Sequence, residues 1–143
     1  MKIRKLQKKD IPAAAKIVRR NYSAAFEKSS KRELKEMFGK SAVKPLYIVA
    51  EDDGEIIGFA GCMQSWMDYS VYTMFWVNVL PEKQKQGIGK KLVKEVLAIL
   101  KKRKPEMILI TTTMPRFYSK YFGFKTFAKL GGGYELMGLS LLK

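Results

Sequence analysis

Between Phe75 and Lys104 an apolar run, a glycine-bearing turn and a helical pattern follow one another without a break, and that order admits few folds. The run from Tyr69 to Val79 is bounded by a polar turn near Asp68 and by Pro81. Its near-continuous apolar character predicts a central strand buried on both faces. From Gly87 to Lys104, Ile88, Leu92, Val93, Val96, Leu97 and Leu100 recur at helical spacing with lysines between them, and Pro105 ends the element. The two are joined by Gln84-Lys85-Gln86-Gly87-Ile88-Gly89. First-turn amides of a helix lack internal acceptors and sit at the positive end of its dipole, and glycines let an anion approach the backbone. A pyrophosphate is the natural guest of such a turn.

The remaining pattern surrounds this unit with short elements. Lys2 to Leu6 reads as a strand, and Asp10 as the cap of a helix with Pro12 in its first turn and Ile17, Val18 and Tyr22 along it. Ser30-Lys31-Arg32-Glu33 has the form of a capping box opening a second helix that carries Leu34, Met37 and Phe38 and stops at Gly39. Leu46 to Ala50 and Glu55 to Ala60 are β-rich runs around Asp52-Asp53-Gly54, which predicts an antiparallel hairpin. Met107 to Thr112 reads as a buried strand, Arg116 to Phe122 as a short helix, and Lys125 to Ala128 with Tyr134 to Leu139 as a closing pair around Gly131-Gly132-Gly133. The fold class expected is α/β of the α+β type, a mixed and mostly antiparallel sheet flanked by helices, in a single domain over 1–143. A right-handed crossover through the long helix places Met107 to Thr112 beside the strand ending at Val79.

Composition removes several chemistries. There is one cysteine, Cys62, and no histidine in the 143 residues, so a zinc cluster or a histidine-based triad is excluded. No signal-peptide core follows Met1-Lys2-Ile3-Arg4-Lys5, and no apolar run approaches the ~20 residues of a membrane span, so a cytoplasmic protein with no membrane partner is expected. The net charge of +15 attracts phosphates, nucleic acid or acidic surfaces. Lys101-Lys102-Arg103-Lys104 falls in the last helical turn, where cations meet the helix dipole favourably, and this disfavours nucleic acid as the main ligand.

The turn is not a nucleoside triphosphate loop, which needs Gly-Lys-Ser/Thr with a glycine five residues earlier; here Lys91 follows Lys90 and Gln84 holds the glycine position. Nor is it a dinucleotide fingerprint, whose third glycine is replaced by Leu92. Gln84 to Gly89, with Val79-Leu80-Pro81 before it and the helix after it, resembles the Gln/Arg-x-x-Gly-x-Gly/Ala loop of the GNAT superfamily of acetyl-CoA-dependent N-acetyltransferases. The resemblance spans the chain in element order, with specific residues matching from Phe75 to Phe124.

The resemblance implies an acyltransferase moving an acetyl group from acetyl-CoA to a primary amine of a small molecule, peptide or protein by direct transfer, with CoA as product. It implies that Val77, Asn78 and Val79 pair their backbone with the pantetheine arm. It implies that Lys85, Gln86, Gly87, Ile88, Gly89 and Lys90 wrap the pyrophosphate. Phe117-Tyr118-Ser119-Lys120-Tyr121-Phe122-Gly123-Phe124 resembles the family's Phe-Tyr-x-x-x-Gly-Phe segment with one residue inserted. Tyr118 is then the residue that protonates the departing CoA thiolate, with Tyr121 as the second choice. A phenol protonated at neutral pH suits that role.

The glutamate that some relatives carry on the central strand falls at Thr73. Glu51, Asp68 and Glu135 also read as solvated turn or strand-end charges, so no base is assigned. Trp66, Met67, Tyr69, Tyr72, Met74 and Trp76 could line an acceptor pocket or pack as core, and a basic cleft would favour an acidic or peptide acceptor. Cys62 reads as a small hydrophobe. Monomer and homodimer both remain open. Alternative readings are a non-catalytic acyl-CoA sensor, separated from an enzyme by turnover of amines, and a basic nucleic-acid-binding domain, which would bind with strong salt dependence.

Overall fold

The computed structural model describes residues 1–142. The strands are β1 (Lys2–Lys5), β2 (Leu46–Asp52), β3 (Glu55–Gln64), β4 (Val71–Val79), β5 (Met107–Thr112), β6 (Lys125–Lys129) and β7 (Glu135–Ser140). The helices are α1 (Ile11–Asn21), α2 (Ala24–Lys35), α3 (Ile88–Lys101) and α4 (Pro115–Phe122). All seven strands join one sheet in the order β1-β2-β3-β4-β5-β7-β6. Every neighbouring pair is antiparallel except β4 with β5, which run parallel on either side of the α3 crossover. This is the expected mixed sheet, and β4 stands at its centre.

The two faces are covered by different helices. A methyl group built on Gly58 would meet Leu92 of α3, whereas one on Gly61 would meet Tyr47 and Phe75. Three residues apart on a strand is opposite faces, so α3 lies on one side and the Tyr47 side faces α1 and α2. The apolar stripe of α3 is buried through Leu92, Val93, Val96 and Leu100, and that of α1 through Ala14, Ala15, Ile17 and Val18. Burial of these stripes, at ~25 cal/mol per Å² of apolar surface, is what holds the helices to the sheet.

Two local readings are corrected. Asp10 does not cap α1 with its side chain; it ends a 3₁₀ turn, accepts from the Gln7 backbone N–H at 2.8 Å, and is clasped by Arg4 at 2.7 Å. Ser30 does not open α2. The helix starts earlier, where the Ser23 hydroxyl accepts from the Phe26 N–H, and Ser30 lies buried within it, donating to the Glu27 carbonyl. Met37 and Phe38 then fall in a separate 3₁₀ turn.

The central strand departs from a regular ladder at two places that together make an opening. Gly61 opposes Phe75 and Phe59 opposes Asn78, so two residues of β3 span three of β4, a bulge at Trp76 and Val77. Trp76 sits there in the left-handed region at φ 52°. On the other side, β4 pairs with β5 only from Val71 to Thr73 against Met107 to Leu109. Beyond Leu109, β5 continues beside β7 alone, so β4 and β5 part and leave the β4 edge open from Met74 onward. Phe75, Trp76 and Val77 are consequently half-buried, and the expected burial on both faces gives way there.

Candidate active site

The opening between β4 and β5 leads from the bulge to the N-terminus of α3. Leu80 N–H donates to Ile57, and by the antiparallel alternation Asn78 faces β3 while Val77 and Val79 face the gap. Asn78 is buried, and its side-chain oxygen accepts from Asn21 Nδ2 at 2.9 Å. Asn21 Nδ2 also donates to the Val79 carbonyl at 3.0 Å, and Gln84 Nε2 donates to the same carbonyl at 3.0 Å and to Asn21 Oδ1 at 3.1 Å. The end of α1, the end of β4 and the start of the glycine loop are thus locked together by two side-chain amides. The Arg20–Glu82 ion pair, 2.8 Å long, ties α1 to the same loop from outside.

From that anchor the chain winds through Lys85 at φ 62° and Gly87 at φ 83° into α3. Gly87 holds the N-cap position with nothing within 4 Å of where a Cβ would stand, so the turn is open on its outer side. The first intrahelical bond runs from Lys91 N–H to the Gly87 carbonyl. The amides of Ile88, Gly89 and Lys90 precede it and have no helical acceptor. Gly89 lies over Val79: a Cβ built on it would stand 3.8 Å from the Val79 Cγ2.

α4 closes the far side of the gap. A glycine cap ends it: Gly123, in the left-handed region at φ 78°, donates to the Ser119 carbonyl, and Phe124 N–H reaches the Tyr118 carbonyl at 3.3 Å. Tyr118 points into an aromatic cluster, edge-on to Phe117 and Phe124 at 5.0 and 5.7 Å, and burial with a smaller push from Tyr22 lifts its phenol to about 12. Tyr121 is instead half-exposed under Lys90 Nζ, 3.9 Å above its ring. Of the two tyrosines, Tyr118 turns toward α1 and Tyr121 toward the loop.

The face beside the bulge is aromatic. Tyr22 is edge-on to Phe26 at 5.6 Å and to Trp76 at 6.3 Å, and Tyr134 lies near enough to raise the Tyr22 phenol further after burial has raised it. Of the aromatic and methionine side chains expected around an acceptor, only Trp76 stands here. Tyr72 and Met74 are core, and Trp66, Met67 and Tyr69 are exposed at the β3–β4 turn.

The candidate carboxylates lie elsewhere: Glu51 pairs with Arg4 at 2.8 Å, Asp68 accepts from Ser70 within the turn, and Glu135 accepts from Thr126. The carboxylate beside the bulge is Glu33, whose Oε1 accepts from Trp76 Nε1 at 3.3 Å. Asn21 and Glu33 carry no local signal, because their partners lie 43 or more residues away. Gln84 stands first in the loop pattern and could have been read from it. Among the described residues no group of three acidic, cysteine or histidine side chains could hold a metal ion, and no helix is long and apolar enough to cross a membrane.

The comparisons with known proteins agree with this geometry. Residues 11–124 match the sequence model of the Acetyltransferase (GNAT) family. An uncharacterized N-acetyltransferase of Archaeoglobus fulgidus is 31% identical over 134 residues, which cover 83% of this chain and 90% of the relative. Among solved structures, a GNAT-family protein of Desulfovibrio desulfuricans superposes with a TM-score of 0.86 at 18% identity, covering 99% of both chains. The PaiA N-acetyltransferase of Thermoplasma acidophilum, solved in complex with coenzyme A, superposes with a TM-score of 0.76 at 22% identity, covering 97% of this chain and 98% of its own. The chain belongs to the GNAT acetyltransferase family and is an acyltransferase.

Proposed function

We propose that this protein transfers the acetyl group of acetyl-CoA directly to a primary amine, with Tyr118 as the acid. The observation that carries the reading is the continuous open path from the β4 edge at Val77 to the unpaired amides at the start of α3. The residues fit the cofactor on their own chemistry. A strand edge without a neighbour accepts an amide-bearing arm as an added strand. An uncrowded glycine at a helix N-terminus accepts a pyrophosphate.

Acetyl-CoA, when bound, supplies the thioester carbonyl to be attacked. Val77, through its amide and carbonyl, and Val79, through its amide, pair with the pantetheine; the Val79 carbonyl is already filled by Asn21 and Gln84. Asn78 acts one step behind, holding the strand end to α1. Lys85 to Lys90 receive the pyrophosphate, with the backbone amides of Ile88, Gly89 and Lys90 directed at it. Tyr118 keeps its proton through the neutral range and gives it to the departing sulfur. The attacking amine sheds its own proton to water, since no carboxylate takes the position of Thr73.

The test is titration of the protein with acetyl-CoA by calorimetry, beside a Gly89→Glu variant, followed by acetylation assays on a panel of primary amines. We expect micromolar binding that the variant loses, and turnover of at least one amine class. Absence of binding by the wild type overturns the reading, and binding without turnover of any amine leaves the acyl-CoA sensor in its place.

A further inference from the structure

The acceptor side of the bulge presents a carboxylate with no cation of its own. Glu33 is exposed on α2, and each of the five ion pairs among the described residues involves other acids. Of the 13 Asp and Glu, eight lie outside these pairs, and Glu33 is the one of the eight that accepts a hydrogen bond from an aromatic ring at the bulge. Its one polar contact is the indole N–H of Trp76, the residue that the bulge holds at φ 52°. A left-handed tryptophan costs on the order of 1 kcal/mol, so the sheet maintains this placement against its own backbone preference. The indole, Tyr22 and Phe26 then form a contiguous aromatic wall beside the carboxylate. Burial makes the Tyr47 phenol hold its proton more tightly, and the negative charge of Glu33 adds to that in a smaller measure.

A carboxylate set among aromatic rings selects an alkylammonium, which gains an ion pair and cation–π contact together. The amine that attacks a thioester must be neutral, whereas this corner favours the charged form. The cation held here is therefore a different one from the attacking amine. Resting on the transferase reading above, we infer that Glu33, with Trp76, Tyr22 and Phe26, binds a second ammonium group of the acceptor, making the preferred acceptor an aliphatic diamine or longer polycation. The sequence-based preference for an acidic acceptor is reversed, because the local charge at the bulge is an acid while the net charge is basic.

The experiment compares 1,4-diaminobutane with butylamine, at saturating acetyl-CoA, for the wild type, Glu33→Gln and Trp76→Phe. The wild type is expected to favour the diamine in kcat/KM by roughly 10- to 100-fold, the range of one charge-assisted contact. Glu33→Gln should abolish most of that preference through the diamine KM, leaving butylamine turnover and acetyl-CoA binding unchanged. Trp76→Phe, which keeps a ring and removes the N–H, should fall between the two. Equal use of both amines by the wild type, or an equal loss on both amines in Glu33→Gln, overturns this inference alone. If neither amine nor any other primary amine is acetylated by protein that binds acetyl-CoA, the transferase reading falls and this one with it.

Discussion

Burial among Phe117, Phe122 and Phe124 takes water away from the Tyr118 phenol, so its anion is destabilised and its pKa is pushed up to about 12. The sign follows directly: the folded value lies above the unfolded one, so the stabilising contribution is complete below about pH 10 and disappears as pH rises toward 12. Below that window the Tyr118 phenol keeps its proton, as the proposed acid role requires. Tyr118→Phe should lower kcat about 10²-fold, with acetyl-CoA affinity preserved because the ring still fills its place. In the wild type, kcat at saturating amine should show no descending limb assignable to Tyr118 below pH 10; steady-state rates from pH 7 to 10 check both points. The same physics silences Cys62, whose thiol is raised to about 11 by burial. Its labelling by a thiol reagent at pH 8 should be at least about 100-fold slower than in denaturant. At Arg4 the sign is opposite. Its guanidinium, beside Asp10 and Glu51, holds both carboxylates below their ordinary range, so this stability is present above about pH 4 and is lost as pH falls through the depressed values. Arg4→Ala leaves the Asp10 carboxylate, 6% exposed, with only the Gln7 amide, and should cost about 3 kcal/mol in a urea titration at pH 7.

Elements were legible from the sequence wherever one segment contained the whole reason for its shape. The hairpin at Asp53 and Gly54 is an example: both residues have positive φ, 49° and 76°, as the two-residue turn requires. The apolar stripe of α3 likewise gave the helix to within three residues at its C-terminus. What stayed hidden depends on partners far away in the chain. The sequence pattern opens the second helix at Ser30, whereas it starts after Ser23, whose hydroxyl accepts from the Phe26 N–H, and it packs against α1. The insertion of β7 between β5 and β6 leaves no mark on either strand, and the bulge at Trp76 depends on the register of β3 against β4, with Gly61 opposite Phe75 and Phe59 opposite Asn78. Gly61 shows how narrowly that pairing is set: a methyl group there would stand 2.5 Å from Tyr47 Cε1 and 2.9 Å from Phe75 Cε2. Gly61→Ala must therefore push both rings, and with them the bulge. It should lower stability by about 1–3 kcal/mol and raise the diamine KM more than the acetyl-CoA KM, read by thermal melting and two-substrate kinetics.

At the scale of the whole molecule, the net charge of +15 acts with opposite sign on acetyl-CoA and on the dicationic acceptor inferred above. Acetyl-CoA is a polyanion that approaches a surface bearing Lys83, Lys85, Lys90 and Lys91 around the loop, and the long-range field speeds and strengthens its binding. A dicationic acceptor approaches against the same field and is held only once it reaches the Glu33 corner. Salt shortens the reach of both effects, from a Debye length of ~14 Å at 50 mM to ~4 Å at 500 mM. The acetyl-CoA dissociation constant should then rise several-fold across that range. The KM for a diamine should fall or stay level, because screening relieves long-range repulsion while the contact ion pair, set against aromatic rings, is screened less. Calorimetry for the cofactor and initial rates for the amine, both at 50 and 500 mM salt, give the two slopes independently. Parallel weakening of both substrates would mean that the acceptor is anionic and is drawn in by the same lysines. Divergent slopes would mean that the acceptor is a cation held at the Glu33 corner of a basic molecule.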